Sequence, residues 1–172
     1  MDRKGSWNMG NLFFSVLKPQ EKETFFEGCE EIEVADEETI VKKDEVSTDL
    51  YVVKSGSAKA VDEWDEDKVP LAIFKEGDVF GEMSFIYEGP RSATVVASED
   101  SVLYKMSKER FVQFMVEEPF VAARFLYGLC KVLIQRLKFV DEAFTTVAVM
   151  NRELKDKAER LKQSMLGSPE EG

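Results

Sequence analysis

The segment Gly77-Asp78-Val79-Phe80-Gly81-Glu82-Met83-Ser84-Phe85-Ile86-Tyr87-Glu88-Gly89-Pro90-Arg91-Ser92-Ala93-Thr94-Val95 gathers the residue types of an anion site into one short cassette. Gly81 has no Cβ and lets the backbone approach a ligand closely. A helical turn opening there presents the N–H groups of Met83 and Ser84 without partners inside the helix, a geometry that attracts anions. Glu82 is acceptor-only at neutral pH and suits sugar hydroxyls. Arg91 offers a charge-assisted fork for a phosphate, and Ser92 adds a hydroxyl and another N–H beside it. One acid, one base and a helix N-terminus together fit an anionic, hydroxylated ligand such as a nucleotide. Taken one residue at a time, a Glu82–Arg91 salt bridge closing a loop is the simpler account.

The elements that must hold this cassette are short strands. Glu31-Ile32-Glu33-Val34 alternates polar and apolar residues, and Thr39-Ile40-Val41-Lys42 does so more loosely. Leu50-Tyr51-Val52-Val53, Ser57-Ala58-Lys59-Ala60-Val61 and Leu71-Ala72-Ile73-Phe74 continue the series, and Ala93-Thr94-Val95-Val96-Ala97 and Val102-Leu103-Tyr104-Lys105-Met106 close it. Turn residues at Asp36-Glu37, Lys54-Ser55-Gly56, Gly77-Asp78 and Glu99-Asp100 separate them. Before the strands, residues 12–28 read as helical, with Pro19 suited to a first turn and Gly28 to the stop. After them, Ser107 is an N-cap for a short helix carrying Phe111, Phe114 and Met115. The class is α+β: an antiparallel, jelly-roll-like β-roll flanked by helices. Residues 1–118 form the roll with its N-terminal helices, 119–166 a long C-terminal helix, and 167–172 a short tail. The acidic run Asp62-Glu63-Trp64-Asp65-Glu66-Asp67 reads as a solvated hairpin loop; it lacks the glycine and terminal glutamate of a calcium loop.

Composition narrows the chemistry. The 172 residues carry 23 Lys and Arg against 34 Asp and Glu, a formal net charge of -11 that argues against a nucleic-acid surface. Histidine is absent, which removes Ser/His/Asp and Cys/His catalysis and the commonest metal ligand. Cys29 and Cys130 lie far apart with no metal-ligand spacing. No catalytic constellation and no metal site are expected. Reduced thiols, no signal core and no apolar stretch of membrane-spanning length point to a cytoplasmic protein without a membrane partner.

From Pro119 one helix can continue to Gly167 with Gly128 as its single interruption. Its a positions are Ala123, Cys130, Leu137, Phe144, Asn151, Ala158 and Met165, and its d positions are Leu126, Leu133, Val140, Val147, Leu154 and Leu161. Six consecutive heptads in one register predict a coiled-coil seam. Asn151, the single polar a residue, is best satisfied by its own copy from a parallel, in-register partner. The first two heptads, with Phe125, Val132 and Ile134 widening the apolar face, are expected to pack on the chain's own roll. Beyond them Leu133, Leu137, Val140, Phe144, Val147, Asn151, Leu154 and Leu161 are the expected dimer contacts.

The cassette resembles the phosphate-binding cassette of cyclic nucleotide-binding domains, at Phe80, Gly81, Glu82, Met83, Ser84, Pro90, Arg91, Ser92, Ala93 and Thr94 and with the family's Glu-to-Arg spacing. The resemblance extends to Leu50-Tyr51-Val52-Val53-Lys54-Ser55-Gly56, to Gly77-Asp78 and to the following helices. It implies a β-roll with the cyclic nucleotide under the cassette. Glu82 would bind the ribose 2′-hydroxyl and Arg91 the exocyclic phosphate oxygens. The N–H groups of Met83, Ser84 and Ala93, with the Ser92 side chain, would complete the cradle, and Met83 and Val95 would lie at the sugar or base. Two departures stand out. Glu37 and Asp44 replace glycines frequent in the family's hairpins. Asp44 tolerates a left-handed turn; Glu37 does so less readily, so a reshaped turn is expected there. The helix before Gln135-Arg136-Leu137 is about one turn longer than in catabolite activator relatives, which leaves the base contact open among Arg136, Val140 and Asp141. Ser92 suits either base, because cGMP-selective relatives often carry threonine there and serine is common in cAMP binders; cAMP is favoured, with cGMP as the alternative.

The resemblance implies a non-catalytic sensor with a cyclic nucleotide as ligand; the heptads add a parallel homodimer, whose C-terminal helix a downstream protein of unknown identity is expected to read. Two alternatives remain open. One is a dimeric scaffold with a vestigial pocket. The other is the effector-binding part of a transcription regulator lacking its DNA-binding domain, since no helix-turn-helix follows Met165 in this sequence.

Overall fold

The computed structural model describes the backbone of residues 9–64 and 67–166 and the side chains of residues 12–61 and 70–164. Four consecutive apolar residues, Leu50-Tyr51-Val52-Val53, demand cover on both faces of their strand. They receive it in β3 (Leu50–Ser55). Leu50 and Val52 enter a cluster with Phe13, Phe25, Phe114 and Phe125 from the helices. Tyr51 and Val53 enter a second cluster with Val34, Phe74, Phe80 and Leu103. One cluster lies between helices and sheet, the other inside the roll, and β3 serves both through its period of two.

The remaining strands are β1 (Glu30–Val34), β2 (Thr39–Val41), β4 (Ser57–Trp64), β5 (Asp67–Lys75), β6 (Val79–Phe80), β7 (Thr94–Ala97) and β8 (Ser101–Met106). They form two four-stranded sheets in the orders β1-β8-β3-β6 and β2-β7-β4-β5. Every pairing is antiparallel, so the α+β class and the roll are as the sequence predicts. The β4–β5 pairing continues to Trp64↔Asp67. The acidic run is thus mostly strand rather than loop; residues 65–66 lie outside the described residues.

Among the described residues there are five helices: α1 (Met9–Phe14), α2 (Pro19–Glu27), α3 (Glu82–Tyr87), α4 (Lys108–Glu117) and α5 (Pro119–Leu166). The single helix expected over 12–28 is two, broken across residues 15–18. Pro19 fixes the first turn of α2, and the Lys18 N–H donates to the Glu21 carboxylate at 2.8 Å. Ser107 caps α4, accepting from the Arg110 N–H at 3.1 Å. The expectation for Glu37 fails. Its φ is 61°, left-handed like that of Asp44 at 66°. Its neighbours hold the turn: Glu37 N–H donates to the Ala97 carbonyl at 3.2 Å and Ala97 N–H to the Glu38 carbonyl at 2.9 Å. The Glu37 carboxylate pairs with Lys59 at 2.7 Å. Cys29 is inert; burial pushes its thiol up to about 12.

Two compact units divide the chain, Met1–Val132 and Leu133–Gly172. In the first, α5 buries Val121, Ala122, Phe125, Leu129 and Val132 in the helix-side cluster. This revises the expected packing of the first two heptads. The core takes Phe125, Leu129 and Val132, while Ala123 and Cys130 at a stay exposed and Leu126 at d is half-buried. In the second unit the a and d side chains Leu137, Val140, Phe144, Val147, Leu154 and Leu161 are all exposed, Phe144 by 74%.

Gly128 marks where α5 meets the N-terminal segment. A Cβ there would stand 2.7 Å from the Phe13 carbonyl oxygen and 3.1 Å from its ring. Alanine favours a helix over glycine by about 1 kcal/mol, but overpacking here outweighs that gain, so Gly128→Ala is expected to lower stability by about 1–2 kcal/mol net. Urea unfolding with an unchanged slope checks it, and a stabilised variant would refute the close contact.

Candidate functional site

The cassette folds as its parts dictate. β6 ends at Phe80, Gly81 turns the chain with φ of 79°, and α3 begins at Glu82. A side chain at Gly81 would place its Cβ 2.7 Å from Arg91 Nη1 and 2.8 Å from the Asp49 carbonyl oxygen, so glycine is required for the guanidinium to come this close. The Phe85 N–H returns to the Gly81 carbonyl at 3.1 Å. The N–H groups of Glu82, Met83 and Ser84 therefore belong to the first turn, where no intrahelical acceptor exists. At the other end, Lys108 Nζ donates to the Phe85 carbonyl at 2.7 Å and pairs with Glu88 at 3.2 Å, setting a cation at the C-terminus of α3.

Glu82 and Arg91 are both buried, 1% and 2% exposed. Charged groups are rarely buried to this degree without a purpose or a partner. Arg91 Nε donates to Ser47 Oγ at 2.8 Å and Nη1 to the Gly81 carbonyl at 3.3 Å. Its Nη2 is buried and has no hydrogen-bond partner. The guanidinium carbon lies 5.8 Å from the centroid of the Tyr51 ring. Tyr51 in turn stacks on Phe80 at 5.1 Å, and Phe80 on Phe74 at 5.0 Å. Burial works against the charge of Arg91, while Tyr51, Asp49, Glu45 and Glu82 favour it. Burial, with Asp49 beside it, also pushes the Tyr51 phenol up to about 12, so that ring stays neutral.

The loop between Tyr87 and Arg91 is closed by Ser84 Oγ, which donates to the Pro90 carbonyl at 3.2 Å. Ser92 is exposed, and its hydroxyl donates to Met83 Sδ at 3.6 Å. Met83 is exposed, Ala93 is half-buried, and Val95 is buried in the cluster inside the roll. Gly81, Glu82, Met83, Ser84, Arg91 and Ser92 thus lie close together. Arg136, Val140 and Asp141 belong to the second unit and stand as candidates only. The sequence reading missed Ser47 and Asp49, in the loop before β3, and gave Tyr51 no role at the arginine. A polar triplet Ser47-Thr48-Asp49 ahead of a strand is too ordinary to flag a site.

An acid and a base, both withdrawn from water beside a helix start, can bind a phosphate ester carrying a hydroxyl. Among the described residues no group of three or more His, Cys, Asp or Glu could hold a metal ion, and no helix is long and apolar enough to cross a membrane.

Comparison with known proteins agrees with this geometry. The model of the cyclic nucleotide-binding domain matches residues 31–118, just over half of the chain. The chain is 30% identical over 101 residues to the cAMP-dependent protein kinase regulatory subunit of Emericella nidulans, covering 59% of this chain and 24% of that protein. It is 30% identical over 132 residues to the cyclic AMP receptor protein of Thermus thermophilus, covering 76% of this chain and 52% of that one. The chain therefore spans about a quarter to a half of these relatives. The crystal structure of the Thermus thermophilus catabolite activator protein superposes with a TM-score of 0.70 at 27% identity, covering 80% of this chain and 63% of that one. With its cassette, its roll and this match in agreement, the chain belongs to the cyclic nucleotide-binding domain family, as a regulatory domain of that kind.

Proposed function

We propose that the chain is a non-catalytic cyclic nucleotide sensor that prefers cAMP to cGMP, pairs as a parallel homodimer and passes its ligand state through α5. One observation carries the reading: Arg91 is buried against the start of α3 with the Nη2 donor unmet, and Glu82 is buried in the same cassette. A cyclic phosphate supplies the missing acceptor, and its ribose 2′-hydroxyl suits Glu82. Backbone N–H groups of Met83, Ser84 and Ala93 and the Ser92 hydroxyl complete the cradle. Arg136, Val140 and Asp141 are the candidate base contacts. The relatives named for cAMP support that base. The acidic balance supports neither a nucleic-acid nor an anionic membrane partner. The reading places the protein in the cytoplasm, with a downstream protein as its listener.

The exposed stripe from Leu137 to Leu161 supports the dimer. A seam of leucine, valine and phenylalanine at successive a and d positions gains free energy by burial against a second copy. Asn151 within that stripe favours the parallel register.

Two expectations follow. Each charge-assisted bond from Arg91 contributes roughly 1.5–3 kcal/mol. Arg91→Ala should then weaken cAMP binding at least about tenfold in calorimetric titration, and Glu82→Gln should weaken it less, with little further loss on removing the 2′-hydroxyl. Undiminished affinity of a folded Arg91→Ala protein would refute the cradle. For the seam, Leu154→Asp sets like charges in a buried d layer and should convert the dimer to monomer in sedimentation while the roll keeps its ligand affinity. A wild-type chain sedimenting as a monomer at micromolar concentration would overturn the coiled-coil reading.

A further inference from the structure

The loop between β2 and β3 grips Arg91 by its backbone and by its side chain. The Asp44 N–H donates to the Arg91 carbonyl at 3.0 Å, and the Arg91 N–H donates to the Glu45 carbonyl at 2.9 Å. Ser47 Oγ then accepts from Arg91 Nε at 2.8 Å, bridging 44 residues of sequence. Ser47 is half-buried and sits in irregular backbone, so no strand or helix requires its hydroxyl. The guanidinium is planar, and its donors point in fixed directions. Anchoring Nε on Ser47 and Nη1 on the Gly81 carbonyl sets that plane and leaves Nη2 as the donor without a partner. A lysine in this place would have no such plane to set.

Resting on the sensor reading above, we propose that Ser47 is a positioning residue for anion binding: its hydroxyl holds Arg91 Nε so that the Nη2 edge is presented to the ligand phosphate before the ligand arrives. Because the contact exists in the free protein, removing it weakens the free and bound forms alike. Affinity then registers only the ordering of the arginine that binding must newly supply, a cost that preorganisation otherwise removes. The loop also becomes a second point at which occupancy is felt, since a pull on Arg91 is a pull on residues 44–47.

The test is a set of titrations with cAMP on the full chain. Ser47→Ala should weaken binding about three- to tenfold, the effect of leaving one rotamer-rich side chain to be ordered on binding. Ser47→Thr, which keeps the hydroxyl, should stay within about twofold of wild type. In an Arg91→Lys background, where no Nε exists to hold, adding Ser47→Ala should change affinity by less than about twofold. Losses that multiply instead would show that Ser47 acts on the fold and not through Arg91, and would overturn the proposal. A second readout needs no ligand. The Arg91 Nε–H should give a slowly exchanging nuclear magnetic resonance signal in wild type and lose that protection in Ser47→Ala; equal protection in both would also overturn it. A wild type that binds neither cAMP nor cGMP sinks the sensor reading and the role of Ser47 in it together. A wild type that binds, with Ser47→Ala matching it, sinks the role of Ser47 alone.

Discussion

Removing a guanidinium from water costs free energy unless its donors are met, and Arg91 is buried with one donor unmet. The surrounding structure is arranged around that debt. Gly81 is left-handed and without a Cβ so that Nη1 can reach its carbonyl. Ser47 accepts from Nε, and the Tyr51 face lies against the cation. Carboxylates at Asp49, Glu45 and Glu82 offset the desolvation without removing the opening for an anion. The chain as a whole carries a net charge of -11 and repels an anionic ligand at long range. Attraction must therefore be local, within a distance over which salt screens poorly because the pair is buried.

The roll supplies the rigidity that such a site needs. Tyr51 is held from below by the stack onto Phe80 and then Phe74, so three strands, β3, β6 and β5, support one aromatic face. Phe80 is also the last residue before Gly81, so the same short strand that backs the arginine launches α3. On the helix side, Phe85 of α3 packs edge-on against Phe111 at 5.2 Å, and Lys108 holds the C-terminus of α3. The cassette helix is thus fixed at its start by the roll and at its end by α4. A displacement of α3 by ligand has α4 as its immediate neighbour to move.

What was legible in the sequence was what is local. Glu82, Ser84 and Arg91 lie within one short stretch of sequence, and their residue types report their chemistry directly. Strands with alternation or a run of apolar residues were legible too, since period two survives any tertiary context. β6 was not, because two residues carry no period. Ser47 was not, because its meaning depends on a partner 44 residues away. Glu37 misled for a different reason. Its intrinsic reluctance to take positive φ is worth about 1–2 kcal/mol, which the two backbone bonds that Ala97 makes with Glu37 and Glu38, together with the Lys59 ion pair, offset. The break before α2 was hidden by the apolar residues on either side of it, Phe14 and Phe25, which look like one stripe even though Pro19 already suits a helix start.

The long helix makes a related point about faces. In α5 the residues taken by the core, Val121, Phe125, Leu129 and Val132, follow one stripe. The heptad residues Ala123, Leu126, Cys130 and Leu133 follow another, displaced by about a third of a turn at 100° per residue. Had the core used the heptad stripe, the apolar pattern beyond Val132 would simply continue the packing of a single domain. It does not: Ala123 and Cys130 are exposed on a stripe the core leaves largely alone, and a seven-residue repeat drifts by about 20° per heptad on a straight helix, which brings Leu154 and Leu161 round to the phase of Phe125. A stripe that starts apart from the core face leaves Phe125 and Leu129 in their places in the core.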